Sequence, residues 1–361
     1  MKRFSILFFS IAIILNLSCK KNDDSSSTDF EALKDRALID FVNVVALPGY
    51  GELKTKAATL NSKVVALDAN TTEANLLAAR EAWKDIRITW ERCEGFLFGP
   101  VEDDEYDPET DTWPVSFNDL DSLINSSNPL GVSDIEALSQ RSLKGYHPME
   151  YILWGKNGAQ TAATINERQK QYLTSLSLHL KSQAEKLFDS WAPGAGNYAQ
   201  HILNAGKGST LYPKKQDAFI SILEGLLAIC EEVGEGKMLE PFDAHDPAIV
   251  ESPFSGNSVT DFRNNIIGAF NAYEGKFNTD GVGISELVRA RNISLDNELK
   301  QNFNAAINSF NNITVPYEKA IIEQRIQCRQ TMDAINELSF TLESKLRPFI
   351  VQNIIDWPDS F

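Results

Sequence analysis

Between residues 76 and 97 the sequence places apolar side chains three and four positions apart without interruption, which predicts one face of an α-helix. The residues on this face are Leu76, Ala79, Trp83, Ile86, Trp90, Cys93 and Leu97. An apolar face of this length has to be buried against other helices. The segment therefore predicts a helical bundle.

Much of the remaining chain has the same periodicity. Thr164-x-x-Glu167 fits a capping box at a helix start. The apolar stripe that would follow it is Tyr172, Leu176, Leu180, Ala184, Leu187 and Trp191. Further helices are predicted over residues 216–235, 259–273, 294–310 and 316–349, the last of them either continuous or broken. Strand-like alternation with hairpin turns is scarce, so we predict an all-α fold.

Two irregular stretches interrupt the helical pattern. Pro193-Gly194-Ala195-Gly196 ends the long stripe and gives the best domain boundary. A single core rarely serves more than about 250–300 residues, so we predict two helical-bundle-like domains, residues 29–192 and 193–361, which could be an old duplication. The second stretch, residues 99–117, holds three prolines and seven acidic residues. Long ordered loops of this kind tend to carry function.

The first residues predict export. Lys2 and Arg3 precede an apolar run over residues 4–17, and Leu17-Ser18-Cys19 resembles a lipobox. We therefore predict a lipoprotein signal peptide over residues 1–18, lipidation of Cys19 and a flexible tether over residues 19–28. The expected product is an outer-membrane lipoprotein, periplasmic or surface-exposed, that contacts the membrane through its lipid anchor.

Charge and cysteine content exclude several classes. The net charge is −16, and removal of Lys2 and Arg3 with the signal peptide makes it −18, which argues against a nucleic-acid partner. The other cysteines, Cys93, Cys230 and Cys328, are odd in number and lack Cys-x-x-Cys spacing, which excludes a disulfide framework and a zinc ribbon. We expect Cys93 and Cys328 to lie in the core.

The segment Gly145-Tyr146-His147-Pro148-Met149-Glu150 carries the strongest chemical signal. His147 and Glu150 are almost one helical turn apart, so both side chains can reach one ion. The next four residues are apolar or aromatic, and a desolvated polar pair must be hydrogen-bonded, capped or metal-bound. The alternative needs no metal: Pro148 at the first helical position would make His147 the N-cap, with Glu150 reaching back to it.

Acidic residues elsewhere could complete such a site. Arg87, Glu91 and Glu94 are spaced by four and three, so they flank the apolar face that contains Trp90. They are either a solvated flank with an Arg87–Glu91 ion pair or part of a binding site. Asp111, in the acidic loop, could close the site or could be a turn residue.

The motif Gly145-x-His147-x-x-Glu150 resembles the Gly-x-His-x-x-Glu motif of the imelysin-like proteins, also known as peptidase family M75. Other stretches look like the family's further landmarks and occur in its order: residues 90–100, Asp111-Thr112-Trp113-Pro114, and residues 251–258 with Asp261-Phe262. The resemblance runs from about residue 30 to the C-terminus and identifies the chain as a lipoprotein member of that family.

The resemblance implies a two-domain helical envelope protein with the motif near the domain interface. Such proteins include iron-regulated envelope proteins, components of iron uptake and a protease. The predicted metal ligands are His147, Glu150, Glu94 and Asp111. The predicted site-lining residues are Gly145, Arg87, Trp90, Glu91, Trp113, Glu251, Ser252, Asn257 and Asp261. For the last four residues, capping of the helix that follows is the alternative.

The chemistry of these residues favours binding over hydrolysis. His-Glu-x-x-His is absent, and His179, His201 and His245 have no spacing that suggests a second imidazole ligand. One histidine among carboxylates suits iron, calcium or manganese better than tetrahedral zinc. We predict a protein that binds a divalent or trivalent metal, iron first, in iron acquisition with iron-uptake or surface partner proteins.

Other ligands and functions stay open. Calcium and zinc are not excluded, nor is haem, because Trp83, Trp90, Trp113 and Trp154 could line a pocket with the histidine. An M75-type metallopeptidase would use Glu150 or Glu94 as general base. A non-catalytic protein-interaction module is the third alternative.

Overall fold

The computed structural model of the protein describes residues 24–355. Within that range the chain is helical with connecting loops, and its only β contact is an isolated bridge between Lys276 and Asp280. The predicted all-α fold is confirmed. The signal peptide and the lipidated Cys19 lie outside the described residues, and the first helix begins at Asp24, inside the segment predicted as a tether.

The α-helices are numbered in chain order. They are α1 Asp24–Asp40, α2 Leu47–Ala69, α3 Glu73–Cys93, α4 Pro100–Asp103, α5 Tyr106–Thr110, α6 Phe117–Asn125, α7 Val132–Glu136, α8 Tyr146–Trp154, α9 Glu167–Trp191, α10 Ala199–Leu203, α11 Lys215–Glu231, α12 Leu239–Ala244, α13 Ser258–Glu274, α14 Ile284–Arg291, α15 Ile293–Ser309, α16 Tyr317–Glu323, α17 Arg325–Thr341 and α18 Arg347–Asn353. Short π-helical segments, Phe41–Ala46, Glu232–Lys237 and Leu342–Leu346, follow α1, α11 and α17. Short 3-10 turns lie at Glu94–Phe96, Arg141–Leu143, Ala162–Thr164, Pro247–Ile249 and Phe310–Asn312.

The predicted apolar faces are buried. The α3 face is inaccessible to solvent from Leu76 to Cys93, and the α9 stripe is buried along its whole length. The predicted capping box is wrong, because Thr164 ends a 3-10 turn and α9 is capped by Asn166 instead. The Asn166 side chain accepts the Gln169 N–H, and the Gln169 side chain accepts the Asn166 N–H, each at 2.9 Å.

Two further sequence predictions can be compared with the structure. The helical pattern over residues 316–349 is broken at Gln324, between α16 and α17. The acidic stretch over residues 99–117 contains two short helices, α4 and α5, and its irregular part includes a cis Trp113–Pro114 peptide bond. Cys93 and Cys328 are buried in the core, as predicted, and Cys230 is buried with them.

Helices α3 and α13 cross with their backbones in contact. A Cβ on Gly268 would lie 2.2 Å from the carbonyl oxygen of Arg92, and a Cβ on Gly95 would lie 2.5 Å from the backbone nitrogen of Ala269. Only glycine permits this approach. It sets the acidic flank of α3, Glu91 and Glu94, directly against the first turns of α13.

The domain division at residue 193 stays a prediction. Helix α3 comes from the first predicted domain and α13 from the second, and buried apolar residues of both halves belong to one hydrophobic cluster. The suggested duplication is likewise untested. No described helix is both long enough and apolar enough to cross a membrane.

We predict that Gly268→Ala lowers the free energy of unfolding by about 1–3 kcal/mol, the usual cost of overpacking a core. The added methyl would overlap the Arg92 carbonyl oxygen, which belongs to the backbone and cannot rotate away. Urea unfolding followed by circular dichroism measures the change. Gly236→Ala is the matched control, because a Cβ there meets no atom within 4 Å. Equal midpoints for the two variants would contradict the proposed crossing.

Candidate metal centre

The Gly145 backbone decides where helix α8 begins. Its φ is +76°, a conformation that favours glycine, and a Cβ at this position would lie 1.8 Å from the carbonyl oxygen of Thr110. The helix therefore starts at Tyr146, directly against the end of the acidic loop. His147 becomes the second helical residue and comes to lie beside Asp111.

The helix-cap alternative for the motif is wrong, because Gly145 takes the N-cap position and Glu150 does not reach back. Instead, Glu150 Oε1 accepts hydrogen bonds from the backbone N–H of Ser255 at 2.8 Å and from its hydroxyl at 2.6 Å. The other oxygen, Oε2, is buried and has no hydrogen-bond partner among the described residues. The carboxylate thus joins the start of α8 to the segment that precedes α13.

The His147 imidazole lies between two carboxylates. Its Nε2 is 3.0 Å from Asp111 Oδ1 and its Nδ1 is 3.9 Å from Glu150 Oε2, but neither nitrogen makes a hydrogen bond of good geometry within residues 24–355. Burial lowers the pKa of His147, yet the two carboxylates outweigh burial and raise it to about 9. A buried imidazole in this position calls for a proton or a metal ion.

Arg87 is the centre of the cluster and is fully buried. Its guanidinium bonds Asp111 and Glu91, contacts Glu251 Oε1 at 2.9 Å and lies 3.7 Å from Asp261 Oδ1. The alternative of a solvated flank with an Arg87–Glu91 ion pair is wrong in its setting: the ion pair is present, but it is buried because α13 covers this side of α3.

Asp111 is held from three directions. Its Oδ2 accepts the indole N–H of Trp90 at 2.6 Å, while its Oδ1 faces both Arg87 and His147. Burial alone would raise the pKa of Asp111, but Arg87 and His147 hold it well below its usual range. Asp111 is therefore more than a turn residue: it connects the α3 guanidinium to the α8 imidazole.

The segment before α13 contributes inward-facing polar groups. Ser252 Oγ and Asn257 Nδ2 each donate to Asp261, both at 2.7 Å. Asn257 holds the N-cap position of α13, but its side chain makes no capping bond. The capping alternative therefore fails for these side chains, which fix the Asp261 carboxylate next to Arg87.

Sequence reasoning missed Lys237, Asn265 and Ser255. The Lys237 ammonium is buried 3.0 Å from Glu94 Oε2 and 3.2 Å from Glu251 Oε1. Asn265 Nδ2 donates to Glu91 Oε2 at 2.6 Å and also to Glu94. The signal for Asn265 was its position one helical turn after Asp261. Lys237 gave none, because it lies in a π-helical segment where the ordinary helical spacing does not apply.

The cluster contains more acid than base. Its buried carboxylates are Glu91, Glu94, Asp111, Glu150, Glu251 and Asp261, and its buried bases are Arg87, Lys237 and His147. If all six acids were ionised and all three bases charged, three negative charges would remain uncompensated. Burial and neighbouring acids raise the pKa of Glu94 and Asp261 well above the usual range, and that of Glu251 to about 7. Protons or a bound cation must supply the missing charge.

Two groups of side chains have a spacing suited to a metal ion. Asp111, His147 and Glu251 each offer one ligand atom within 4.8 Å of the others, and so do Glu91, Glu94 and Asp111. The predicted ligands His147 and Asp111 thus come together with Glu251, while Glu94 falls in the second group. Glu150 faces the opposite ring nitrogen of His147. Trp113 is half-buried, with its ring 5.4 Å from Lys237 Nζ.

The site is closed to solvent, since the candidate ligand residues are at most 3% exposed. A surface cavity of about 270 Å³ lies beside the segment that holds Glu150, lined in part by Phe117, Lys156, Phe254 and Glu318. Phe254 precedes Ser255 and packs edge-on against Tyr151, with ring centroids 5.3 Å apart. Phe254 lines the cavity, whereas His147, Asp111 and Glu251 do not.

Comparison with known proteins shows which family the chain resembles. Residues 46–344 match the family model described as imelysin, peptidase family M75. Iron-regulated protein A of Synechococcus elongatus is 30% identical over 327 residues, covering 88% of this chain and 87% of that protein.

Two solved structures share the fold. A protein of Parabacteroides distasonis described as an iron-regulated protein A precursor superposes with a TM-score of 0.80 at 23% identity, over 90% of this chain and 96% of that one. An imelysin-like protein of Psychrobacter arcticum superposes with a TM-score of 0.74 at 14% sequence identity, over 90% of this chain and 98% of that one. The family model spans most of the chain, and the protein therefore belongs to the imelysin family.

Proposed function

We propose that this protein binds a metal ion in the buried cluster, with His147, Asp111 and Glu251 as ligands, and that it serves iron acquisition at the cell envelope. The observation that carries the proposal is the excess of buried carboxylates around an imidazole that lacks a well-formed hydrogen bond. A cation at His147 Nε2 would compensate the charge and engage that nitrogen.

In this proposal Glu150 is not the direct metal ligand that the sequence predicted, but a carboxylate that orients the His147 ring. It faces His147 Nδ1 while Asp111 faces Nε2, so one ion cannot easily be bound through Nε2 and through Glu150. A carboxylate behind a ligating imidazole orients the ring and increases its basicity. Ser255 holds Glu150 in place for this purpose.

The ligand set favours iron. One nitrogen and several carboxylate oxygens suit iron, manganese or calcium, whereas structural zinc prefers tetrahedral sulfur and nitrogen. The relatives that are named iron-regulated protein A support iron among these. The tryptophans argue against haem, because their rings are already packed or hydrogen-bonded within the protein. Trp83 packs edge-on against Trp154 with ring centroids 5.2 Å apart, and the Trp90 indole N–H donates to Asp111.

Burial argues for binding rather than peptide hydrolysis. A metallopeptidase needs a metal with an open position that water and a peptide can reach. The proposed ligands are at most 3% exposed, and none of them lines the cavity of about 270 Å³ near Ser255. The predicted lipid anchor at Cys19 would hold the protein at the outer membrane, where iron-uptake partners could receive the ion.

We predict that His147→Ala lowers the affinity for Fe²⁺ at least about tenfold, because it removes the nitrogen ligand. Anaerobic equilibrium dialysis followed by elemental analysis measures the bound iron, with Mn²⁺, Ca²⁺ and Zn²⁺ as competitors. His201→Ala is the control, since His201 is half-buried on α10 and lies outside the cluster.

Unchanged iron binding in a folded His147→Ala protein would exclude the proposed site. Cleavage of peptides by the metal-loaded wild-type protein, lost on Glu150→Gln, would instead support the metallopeptidase. If neither iron binding nor cleavage is found in the wild type, the interaction-module alternative is favoured.

We predict that Arg87→Leu lowers the free energy of unfolding by about 3–5 kcal/mol, the usual cost of breaking a buried ion pair from one side. Four carboxylates would lose their shared partner. Thermal unfolding without added metal measures the change. The control is Arg329→Leu, because Arg329 and its partner Asp243 are both exposed, and their pair should contribute less than about 1 kcal/mol. A loss of similar size in both variants would contradict the central role of Arg87.

A further inference from the structure

Lys237 is a fully buried cation in the half of the cluster away from His147. Its Nζ lies 3.0 Å from Glu94 Oε2, 3.2 Å from Glu251 Oε1 and 3.5 Å from Glu91 Oε2. Carboxylate oxygens thus converge on the ammonium much as they would on a metal ion. This arrangement differs from a surface ion pair, in which water completes the surroundings of each charge.

Two of the carboxylates around Lys237, those of Glu91 and Glu94, are also close enough to each other and to Asp111 to bind an ion without the ammonium. Glu91, Glu94 and Asp111 each offer an oxygen within 4.8 Å of the others. Glu251 adds a further oxygen, because its Oε2 is buried without a hydrogen-bond partner among the described residues. These groups form an oxygen-only set, the kind that hard divalent cations such as Mn²⁺ and Ca²⁺ prefer.

The backbone around Lys237 explains how the ammonium reaches this position. Helix α11 continues into the π-helical segment Glu232–Lys237, which has an extra residue in its turn. Such segments are frequent at functional sites. Here it carries Lys237 into the cluster, while Glu232 stays 3.5 Å from the same Nζ at the solvent side.

We propose that the Lys237 ammonium occupies the position of a second divalent cation, so that the wild-type protein binds one metal ion and loss of the ammonium creates a second site. Glu91, Glu94 and Glu251 are the ligands of this second site. Glu251 also belongs to the group with His147, so the two ions would share its carboxylate. The expectation of one ion in the wild-type protein rests on the proposed function, whereas the expectation of a second site does not.

The test counts Mn²⁺ ions per chain in wild type and Lys237→Gln, by equilibrium dialysis with elemental analysis. We expect one ion in the wild type and two in the variant. Electron paramagnetic resonance should then show coupling between neighbouring Mn²⁺ ions in the variant only. If the wild type binds one ion and a folded Lys237→Gln protein also binds only one, the proposal is overturned.

Two further variants control for charge and folding. Lys237→Arg keeps the cation and should bind one ion. The double variant Lys237→Gln, Glu94→Gln restores the charge balance but removes a ligand, and it should also stay at one. If Lys237→Gln does not fold in buffer alone, Mn²⁺ must restore its native circular dichroism, and failure to do so would equally refute the proposal.

The outcomes separate this proposal from the proposed function. If the wild type binds no metal while Lys237→Gln binds one ion that survives His147→Ala, the proposed function fails and the second site stands. If the wild type and Lys237→Gln both bind one ion that is lost on His147→Ala, the proposed function stands and the second site fails.

Discussion

The guanidinium of Arg87 is removed completely from water, and a buried charge is tolerable only where opposite charges and hydrogen bonds surround it. This requirement organises the cluster. Glu91 supplies a carboxylate from the same helix and Asp111 supplies one from the acidic loop. Glu251 and Asp261 supply two more from the segment around the start of α13. Segments far apart in the sequence converge because each supplies a carboxylate to one cation. The cluster is therefore a structural element of the fold as well as a candidate binding site.

The balance of charge links stability to binding. Arg87 and Lys237 neutralise part of the acid, and the raised pKa values of Glu94, Asp261 and Glu251 show that the remainder is costly to ionise without another cation. Protons meet this cost when no cation is bound. In the proposed function a metal ion would replace them, so that the same side chains would serve two states, one with protons and one with metal.

The sequence predicted what depends on local spacing. The apolar faces of α3 and α9, the helical pattern over residues 316–349 and the closeness of the His147 and Glu150 side chains could all be recognised from neighbouring residues. The burial of Glu91 could not, because it depends on contact between Gly95 and Gly268, which are far apart in the chain. The role of Gly145 was equally hidden, since its φ and its contact with Thr110 are properties of the folded backbone. Lys237 could not be predicted either, because in a π-helical segment the side chains point in directions that ordinary α-helical spacing does not give.

The glycine crossing of α3 and α13 has a consequence for motion. Shear between helices proceeds by side chains changing their packing across the interface, and at Gly95 and Gly268 no side chains separate the two backbones. We therefore expect these helices to move as one body, so that the backbones that carry Glu91 and Asp261 keep their separation. If the cluster binds an ion as proposed, the ion would enter where residues 99–117 or 251–257 open, because the two helices do not separate. The opening of these loops would then limit the rate at which the ion is taken up.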